Sequence, residues 1–256
     1  LILRYQTVLL ERKTMQGIIS AVRRNSLAEN AGIKAGEKLC AVNGVSVHDI
    51  IELSYLVADE QIVLTIEDSE CRQRQIVIEK YTDEELGLEF EAAVFDGVIT
   101  CYNNCVFCFV DQMIPGMRES LYVRDDDYRL SFLYGNFITL TNMKEEDFEQ
   151  IIKTHMSPLY ISVHATRPEV RCQMMNNRFA GELMSKINRL VEAGISIHTQ
   201  IVCCPGYNDG EVLEQTYRDL EALAPMVETM AVVPVGITKH LSLIHISEPT
   251  RRSYIS

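Results

Sequence analysis

Three cysteines lie close together in the run Cys101-Tyr-Asn-Asn-Cys105-Val-Phe-Cys108. Soft thiolate ligands at such short spacing are typical of iron–sulfur clusters. With only three protein ligands, a four-iron cluster keeps one iron open to a small molecule. A structural zinc site usually has four ligands, commonly from paired Cys-x-x-Cys units, and the sequence has no second unit of that kind. The pattern therefore favours a cluster, with zinc binding and inert buried thiols as the alternatives.

The sequence around and after the cysteines alternates between apolar, strand-like runs and helical patterns, which is typical of βα units around a parallel sheet. The first predicted strand ends at Ile99-Thr100, just before the cysteines. The later predicted strands cover residues 137–141, 159–163, 195–202 and 229–235, and helices are predicted over residues 144–155, 178–193 and 211–223. Because barrel sites lie at the C-terminal ends of the strands, Asn142, His164 and Gln200 are expected to share one site.

The segment from about Gly17 to Glu91 has a different order of elements. Ser26 is expected to cap a short helix that Gly32 closes, and Asn43-Gly44 is expected to form a tight turn. Strands are predicted over residues 18–22, 39–42, 62–67 and 74–79, and a second helix over residues 48–57. This order resembles a PDZ domain of bacterial type. The matching residues are Val22, Ser26, Ala28, Gly32, Ile33, Gly36, Leu39, Asn43, Gly44 and Val47.

The PDZ resemblance implies binding of an extended peptide C-terminus at a sheet edge. Gly87-Leu88-Glu89-Phe90 is the one stretch similar to the carboxylate-binding loop of that family, so Gly87, Leu88 and Phe90 are the implied peptide-binding residues. The place of this stretch at the end of the domain implies a circularly permuted strand order. Glu89 stands where the family has a glycine and adds a negative charge. A packing or docking role for the domain is the alternative.

The cysteine spacing, with the aromatic Phe107 before the last cysteine, resembles the radical S-adenosylmethionine (SAM) superfamily. The resemblance implies a partial (β/α)6 barrel in which Cys101, Cys105 and Cys108 bind a [4Fe-4S] cluster. The open iron would chelate SAM, and a reductant such as ferredoxin or flavodoxin would supply the electron. Reductive cleavage would give methionine and a 5′-deoxyadenosyl radical, which acts on an unknown substrate.

Longer phrases narrow the resemblance to the DUF512 family, which joins a PDZ-like domain to a radical SAM domain. They are Cys108-Phe-Val-Asp-Gln-Met-Ile-Pro-Gly-Met-Arg118, Asp125-Asp-Asp-Tyr-Arg-Leu-Ser-Phe-Leu-Tyr-Gly-Asn136, Phe137-Ile-Thr-Leu-Thr-Asn-Met143, Ile161-Ser-Val-His-Ala165 and Asn176-Asn-Arg-Phe-Ala-Gly181. The resemblance covers roughly residues 15–240. Members normally carry a further C-terminal domain, so the resemblance implies a chain truncated after about the fifth strand. A chain truncated in this way is expected to be poorly active.

The resemblance also implies a set of cofactor-binding residues. The implied SAM-binding residues are Phe107, Asn136, Thr141, Asn142, Ser162, His164 and Gln200. Many superfamily members hold the methionine amino group with a Gly-Gly-Glu-like stretch that this sequence lacks. Thr141 and Asn142 are expected to take that role instead, with backbone atoms as the alternative. For His164 the alternative is a hydrogen-bonded core histidine.

Charged residues near the cysteine run are assigned simpler roles. Residues 125–127, three aspartates, are predicted to form a solvated acidic loop, with binding of a cationic substrate or a metal as the alternative. Arg124, Arg129 and Arg167 are expected in salt bridges. Contacts of these arginines with the SAM carboxylate or a substrate acid are the alternative.

Composition narrows the class of protein. The chain is 47% hydrophobic and 23% charged, as in ordinary globular proteins. Its net charge of −12 argues against nucleic acid binding, which needs clustered Lys and Arg. No apolar run approaches the ~18 residues of a membrane span, and no convincing signal peptide is present. The eight cysteines are therefore expected in a reducing cytoplasm.

The predicted fold class is α/β, with two domains. A small PDZ-like α+β domain over residues 15–92 is followed by a partial (β/α)6 radical SAM barrel over residues 93–240. Residues 1–14 precede the first methionine and are expected to be a non-native leader. Residues 241–256 resemble translated sequencing-adapter DNA and are expected to be an artefactual tail, with a natural polar tail as the alternative.

The leading hypothesis is a cytoplasmic radical SAM iron–sulfur enzyme of unknown substrate. The alternative is a non-catalytic iron–sulfur adaptor whose PDZ-like domain binds a partner protein. RNA modification is less favoured, because the acidic sequence lacks a basic groove.

Overall fold

The computed structural model describes residues 17–236. The predicted leader (residues 1–14) and tail (residues 241–256) lie outside the described residues. The chain divides after Val98 into two compact units, whereas the sequence placed the boundary between residues 92 and 93. Each unit has its own sheet.

The first unit is a small β domain with two short helices. Its elements are β1 (Gly17–Val22), α1 (Leu27–Asn30), β2 (Lys38–Val42), β3 (Val45–Ser46), α2 (Ile50–Leu56), β4 (Gln61–Glu67), β5 (Gln73–Glu79) and β6 (Leu88–Phe90). The strands follow the order β5-β4-β2-β1-β6, with β3 paired to β2. All of these pairs are antiparallel. Alternating apolar residues of the strands bury one face of the sheet against the helices.

Local signals explain where the helices of this unit begin. The Ser26 hydroxyl accepts a hydrogen bond from the Glu29 N–H at 3.2 Å and so caps α1 as predicted. The Asp49 carboxylate accepts from the Glu52 N–H at 2.7 Å and caps α2. Helix α2 therefore begins at Ile50, two residues later than the sequence predicted.

The predicted peptide-binding stretch forms β6 and pairs with β1. Gly87, just before it, has φ +79°, and a Cβ at this position would lie 2.4 Å from the Cβ of Ser26, so no other residue fits. Leu88 and Phe90 are partly buried and pack against the core of the unit. Among the residues that the structure describes, β6 is an edge strand.

The second unit combines helices with a parallel sheet. Its elements are α3 (Tyr128–Tyr134), α4 (Glu145–Thr154), β7 (Leu159–Ser162), α5 (Pro168–Met175), α6 (Leu183–Glu192), β8 (Ile197–Cys203), α7 (Gly210–Glu221) and β9 (Val227–Pro234), with 3-10 turns at Glu119–Tyr122 and Ala180–Glu182. The strands are parallel in the order β7-β8-β9. Within residues 17–236, no helix is long and apolar enough to cross a membrane.

Two of the five predicted barrel strands differ from the prediction. Thr100 forms an isolated antiparallel bridge with Asp125 rather than ending a parallel strand. The predicted strand over residues 137–141 is reduced to one parallel bridge between Ile138 and Ile161. Leu140 has φ +59°, which breaks the extended conformation of the run. The described part of the chain therefore has a three-stranded parallel sheet with Ile138 alongside it.

Two helices were missed by the sequence analysis. Helix α3 begins where the Asp127 carboxylate accepts from the Arg129 N–H at 3.0 Å. Helix α5 begins with Pro168 at its first position, where a missing N–H costs nothing. The predicted helix over residues 178–193 forms in its later part, as α6.

Candidate active site

The three cysteines of the run line one cavity of about 610 Å³ in the second unit. Cys105 is buried, and Cys101 and Cys108 are partly buried. The cysteine loop follows the segment around Thr100, and the Cys101 N–H donates to the Arg124 carbonyl at 2.7 Å. The structure therefore brings together the three thiols that the sequence singled out.

The end of α5 holds the middle of the cysteine loop through its backbone. The Asn104 N–H donates to the Met175 carbonyl at 3.1 Å, and the Val106 N–H donates to the Met174 carbonyl at 2.9 Å. These carbonyls belong to the last turn of a helix, where no further helical donor is available. The loop and the helix end therefore satisfy each other, which fixes Cys105 between two anchored positions.

Burial dominates the electrostatics of the free thiols. It raises the pKa of Cys105 to about 12, with a further rise from the neighbouring Cys101 and Cys108. Burial also raises the pKa of Cys101, followed by the effect of Asp126. As free thiols, Cys101 and Cys105 therefore keep their protons. Metal binding would have to displace those protons, because thiolate is the ligand form.

His164 forms another wall of the cavity. Its ring centroid lies 4.4 Å from that of Phe107. Its Nδ1 accepts from the Val202 N–H at 3.2 Å, which leaves the ring proton on Nε2. Burial, followed by the charge of Arg171, lowers the pKa of His164 to about 3. His164 is therefore neutral and can act as a hydrogen-bond donor, but not as a cation near neutral pH.

Buried Asn208 fixes the backbone around His164. Its Nδ2 donates to the His164 carbonyl at 2.7 Å and to the Val202 carbonyl at 2.9 Å. His164 itself has φ +63°, an uncommon conformation for a residue other than glycine. The asparagine bridge therefore stabilises a strained backbone at the C-terminal end of β7.

The other residues predicted to bind SAM fall into two groups. Phe107, Asn136, Ser162, His164 and Gln200 line the cavity with the cysteines. Thr141 and Asn142 are not among the lining residues. The Thr141 hydroxyl lies within hydrogen-bond distance of the Asn103 side chain, and the Asn142 Nδ2 donates to the Thr100 carbonyl at 2.9 Å. Asn142 Oδ1 is buried and has no hydrogen-bond partner among the described residues.

The prediction of a solvated acidic loop is wrong for two of its three aspartates. Asp126 and Asp127 are 1% and 0% exposed. Asp126 accepts from the Thr139 N–H at 2.5 Å and from the Thr139 hydroxyl at 2.7 Å. Asp127 pairs with buried Arg129 at 2.8 Å. Thr139 and the Ile99 N–H, which donates to Asp127 at 2.9 Å, are distant in sequence, so the acidic run alone did not reveal the burial.

The predicted salt bridges of the arginines are mostly present. Arg129 pairs with Asp127, and Arg124 pairs with Asp111. Arg167 donates to the Gln215 side chain at 2.6 Å instead of a carboxylate. Arg124 also lines the cavity and is the one of these three arginines that does so.

Asp126 predicts a pH dependence of stability. Burial raises its pKa from 3.8 to about 6. The native state therefore keeps a proton that the unfolded state loses, and this carboxyl makes stability fall as pH rises from about 4 to 6. Asp126→Asn lacks this titrating group. Its free energy of unfolding, relative to that of wild type, should therefore rise by about 2–3 kcal/mol from about pH 4 to pH 6. Urea denaturation of the metal-free protein, followed by circular dichroism at several pH values, measures the difference.

Exposed Asp83 offers the matched control. Asp83→Asn removes a carboxyl that is exposed rather than buried. The free energy of unfolding of this variant should therefore stay parallel to that of wild type across the same pH range. Parallel curves for Asp126→Asn and wild type would show that Asp126 titrates normally in the native state.

Comparison with known proteins identifies the family. A sequence model of the Radical SAM-like domain family matches residues 80–230, more than half of the chain. The chain belongs to this family. A model of the PDZ domain matches residues 18–68. The layout of a PDZ domain followed by a radical SAM-like domain is thereby confirmed. No curated protein matches the chain.

The radical SAM-like domain offers thiols of the kind that bind an iron–sulfur cluster. Three soft thiol donors around one cavity are the ligand type that such clusters take. The orphaned Asn142 Oδ1 is an acceptor that an N–H donor such as an ammonium group would satisfy. Among residues 17–236, the side chains of His, Cys, Asp and Glu form no group of three or more that could hold a metal ion as they stand.

Proposed function

We propose that the protein is a radical SAM enzyme that cleaves S-adenosylmethionine reductively and uses the resulting radical on a substrate. The observation that carries the proposal is the set of three thiols, Cys101, Cys105 and Cys108, around one cavity in a radical SAM-like domain. We further propose that it belongs to the DUF512 family, on the strength of the longer sequence phrases.

The cysteines would hold a [4Fe-4S] cluster. Held by these thiols, such a cluster would supply the electron for reductive cleavage of SAM to methionine and a 5′-deoxyadenosyl radical. An electron-donating protein such as ferredoxin or flavodoxin is the proposed source of that electron. The protein's own part is to bind SAM, orient it and keep water away.

The cavity walls supply the proposed contacts to SAM. Neutral His164 offers its Nε2–H as a donor because its Nδ1 is already occupied. Phe107 offers an aromatic face, and Gln200, Ser162 and Asn136 offer polar groups. Val233 adds an apolar surface from β9. Asn142 does not line the cavity, and we keep it as a proposed contact of the methionine amino group only because its buried Oδ1 has no partner in the described residues.

Anaerobic reconstitution tests the proposal. The 256-residue chain, loaded with iron and sulfide, should develop a charge-transfer absorption band of thiolate-bound iron. After reduction and addition of SAM, 5′-deoxyadenosine should form and be detected by mass spectrometry. If the protein takes up the cluster but forms no 5′-deoxyadenosine at any reductant strength, the proposed enzymatic function is wrong.

The same samples distinguish the adaptor function, which the PDZ domain favours. A partner peptide would add to the edge strand β6 next to Gly87. Cluster assembly without SAM cleavage, together with binding of peptides that end in a free carboxylate but not of amidated ones, would support the adaptor. SAM cleavage would support the enzyme, whatever the PDZ domain binds.

A further inference from the structure

Asn103, inside the cysteine loop, is a buried polar residue that sequence analysis did not single out. It is 2% exposed, whereas its neighbour Asn104 is exposed. Its Nδ2 lies 3.2 Å from Cys101 Sγ, 3.1 Å from Thr139 Oγ1 and 2.9 Å from Thr141 Oγ1. A buried amide with several partners is costly to remove, because those partners lose their hydrogen bonds. The side chain therefore ties a cysteine thiol to two threonine hydroxyls.

The surrounding hydrogen bonds fix which way the Asn103 amide points. Asn177 Oδ1 accepts from the Phe179 N–H at 2.9 Å, so the Asn177 Nδ2 faces the other way. That Nδ2 donates to Asn103 Oδ1 at 2.7 Å. With its oxygen directed at Asn177, Asn103 must direct its NH₂ group toward Cys101. The hydrogen-bond network therefore fixes the orientation of the Asn103 amide.

The Asn103 amide can direct one of its two N–H bonds at sulfur. The amide has two N–H bonds. The Thr139 hydroxyl donates to the Asp126 carboxylate at 2.7 Å, so its oxygen is free to accept. The two threonine hydroxyls lie 2.8 Å apart, so one N–H directed between them can serve both. The second N–H then points at Cys101 Sγ.

We propose that Asn103 is a positioning residue for the cluster, which orients the Cys101 sulfur and raises the reduction potential through an N–H···S hydrogen bond. Hydrogen bonds to cluster sulfurs are one of the ways in which a protein sets the potential, because they stabilise the more electron-rich reduced state. Partners of metal ligands also hold those ligands in place. This inference rests on the proposed function only in that a cluster must bind.

The test is the midpoint potential of the reconstituted cluster, measured by redox titration with electron paramagnetic resonance. At a fixed solution potential, Asn103→Ala should lower the ratio of reduced to oxidised cluster about tenfold, a shift of about 59 mV to lower potential. Asn103→Asp keeps the shape of the side chain and replaces the N–H donors by oxygen, so its shift should be at least as large. Asn104→Ala is the matched control and should titrate like wild type.

The outcomes separate this inference from the proposed function. A wild-type protein that takes up no cluster would overturn the proposed function. A wild-type cluster with the same potential as the clusters of both Asn103 variants would overturn only the role of Asn103. If Asn103→Ala retains its circular dichroism but loads no iron, the midpoint potential of Asn103→Asp, compared with that of wild type, tests the role of Asn103.

Discussion

Replacing Cys105 by alanine should abolish cluster assembly and SAM cleavage. Cys105 is the most buried of the three loop cysteines, and both flanking peptide groups are hydrogen bonded to the end of α5. No other loop thiol can move into its place without breaking those bonds. Loss of a residue that hydrogen bonds to a metal ligand typically lowers metal affinity or activity ~10–100-fold. Loss of a direct ligand should lower them further. Iron and sulfide content, followed by 5′-deoxyadenosine formation, measure the effect.

Cys172 provides an unusually close control. It packs against the same small apolar group as Cys105 and Cys108, yet it lies outside the loop, on α5. Cys172→Ala also removes one thiol from this region, so it should keep its iron and its activity. A Cys105→Ala protein with wild-type iron content would show that the ligand assignment is wrong. Loss of iron in Cys172→Ala would show that the ligand set is incomplete.

Features that depend on neighbours in sequence could be predicted from the sequence. Ser26 caps α1 because its hydroxyl reaches an N–H three residues later. Asn43 and Gly44 both have positive φ, as the predicted turn requires. Helix α7, Gly210–Glu221, lies within two residues of its predicted bounds. The cysteine run belongs to the same class, because its spacing alone brings the three thiols into one loop.

Features that depend on distant partners could not be predicted. The run of residues 137–141 has the composition of a strand, but Thr139 is bound through its N–H and hydroxyl to Asp126, and the next residue adopts a left-handed conformation. The same contacts explain why an aspartate expected in solvent is buried. The preference of a residue for strand contributes less free energy than several buried hydrogen bonds to that residue.

For His164, the sequence left two roles open. Position at a strand end suggested a cofactor contact, and the alternative was a core histidine. The structure combines the two features, since Nδ1 is bonded to Val202 while the ring lines the cavity. The partner that fixes the tautomer lies on the neighbouring strand β8, and parallel pairing alone brings it close. Whether Nε2–H contacts SAM stays a prediction.

Among the contacts between distant parts of the chain, those of Arg171 should contribute most to stability. Loss of this side chain should destabilise the second unit strongly. The side chain is 1% exposed and donates to the backbone carbonyls of four residues. The acceptors are Val163 at 2.8 Å, Ala180 at 2.6 Å, Thr139 at 2.9 Å and Ser162 at 2.9 Å. These carbonyls belong to the segment beside β7, to β7 and its end, and to the turn before α6. One guanidinium therefore joins three segments that are separate in sequence.

Arg171→Met should lower the free energy of unfolding by about 3–5 kcal/mol, because methionine fills much of the volume but leaves four buried carbonyls without a donor. The corresponding fall in the melting temperature of the second unit is about 10 °C. The free energy of unfolding of Arg171→Lys should lie between those of Arg171→Met and wild type. An ammonium group keeps the charge but cannot reproduce the planar arrangement of five donors. Calorimetry of the metal-free protein measures all three.

Arg218→Met supplies the baseline for these measurements. Arg218 lies on α7 with its side chain 70% exposed and pairs with Glu214, so its loss should change stability by no more than about 0.5 kcal/mol. A melting temperature of Arg171→Met as close to wild type as that of Arg218→Met would mean that water or a backbone shift replaces the guanidinium. The buried cation would then not be what holds Thr139 beside β7. A large loss in Arg171→Met that Arg171→Lys fully restores would assign the effect to charge rather than to the four directed hydrogen bonds.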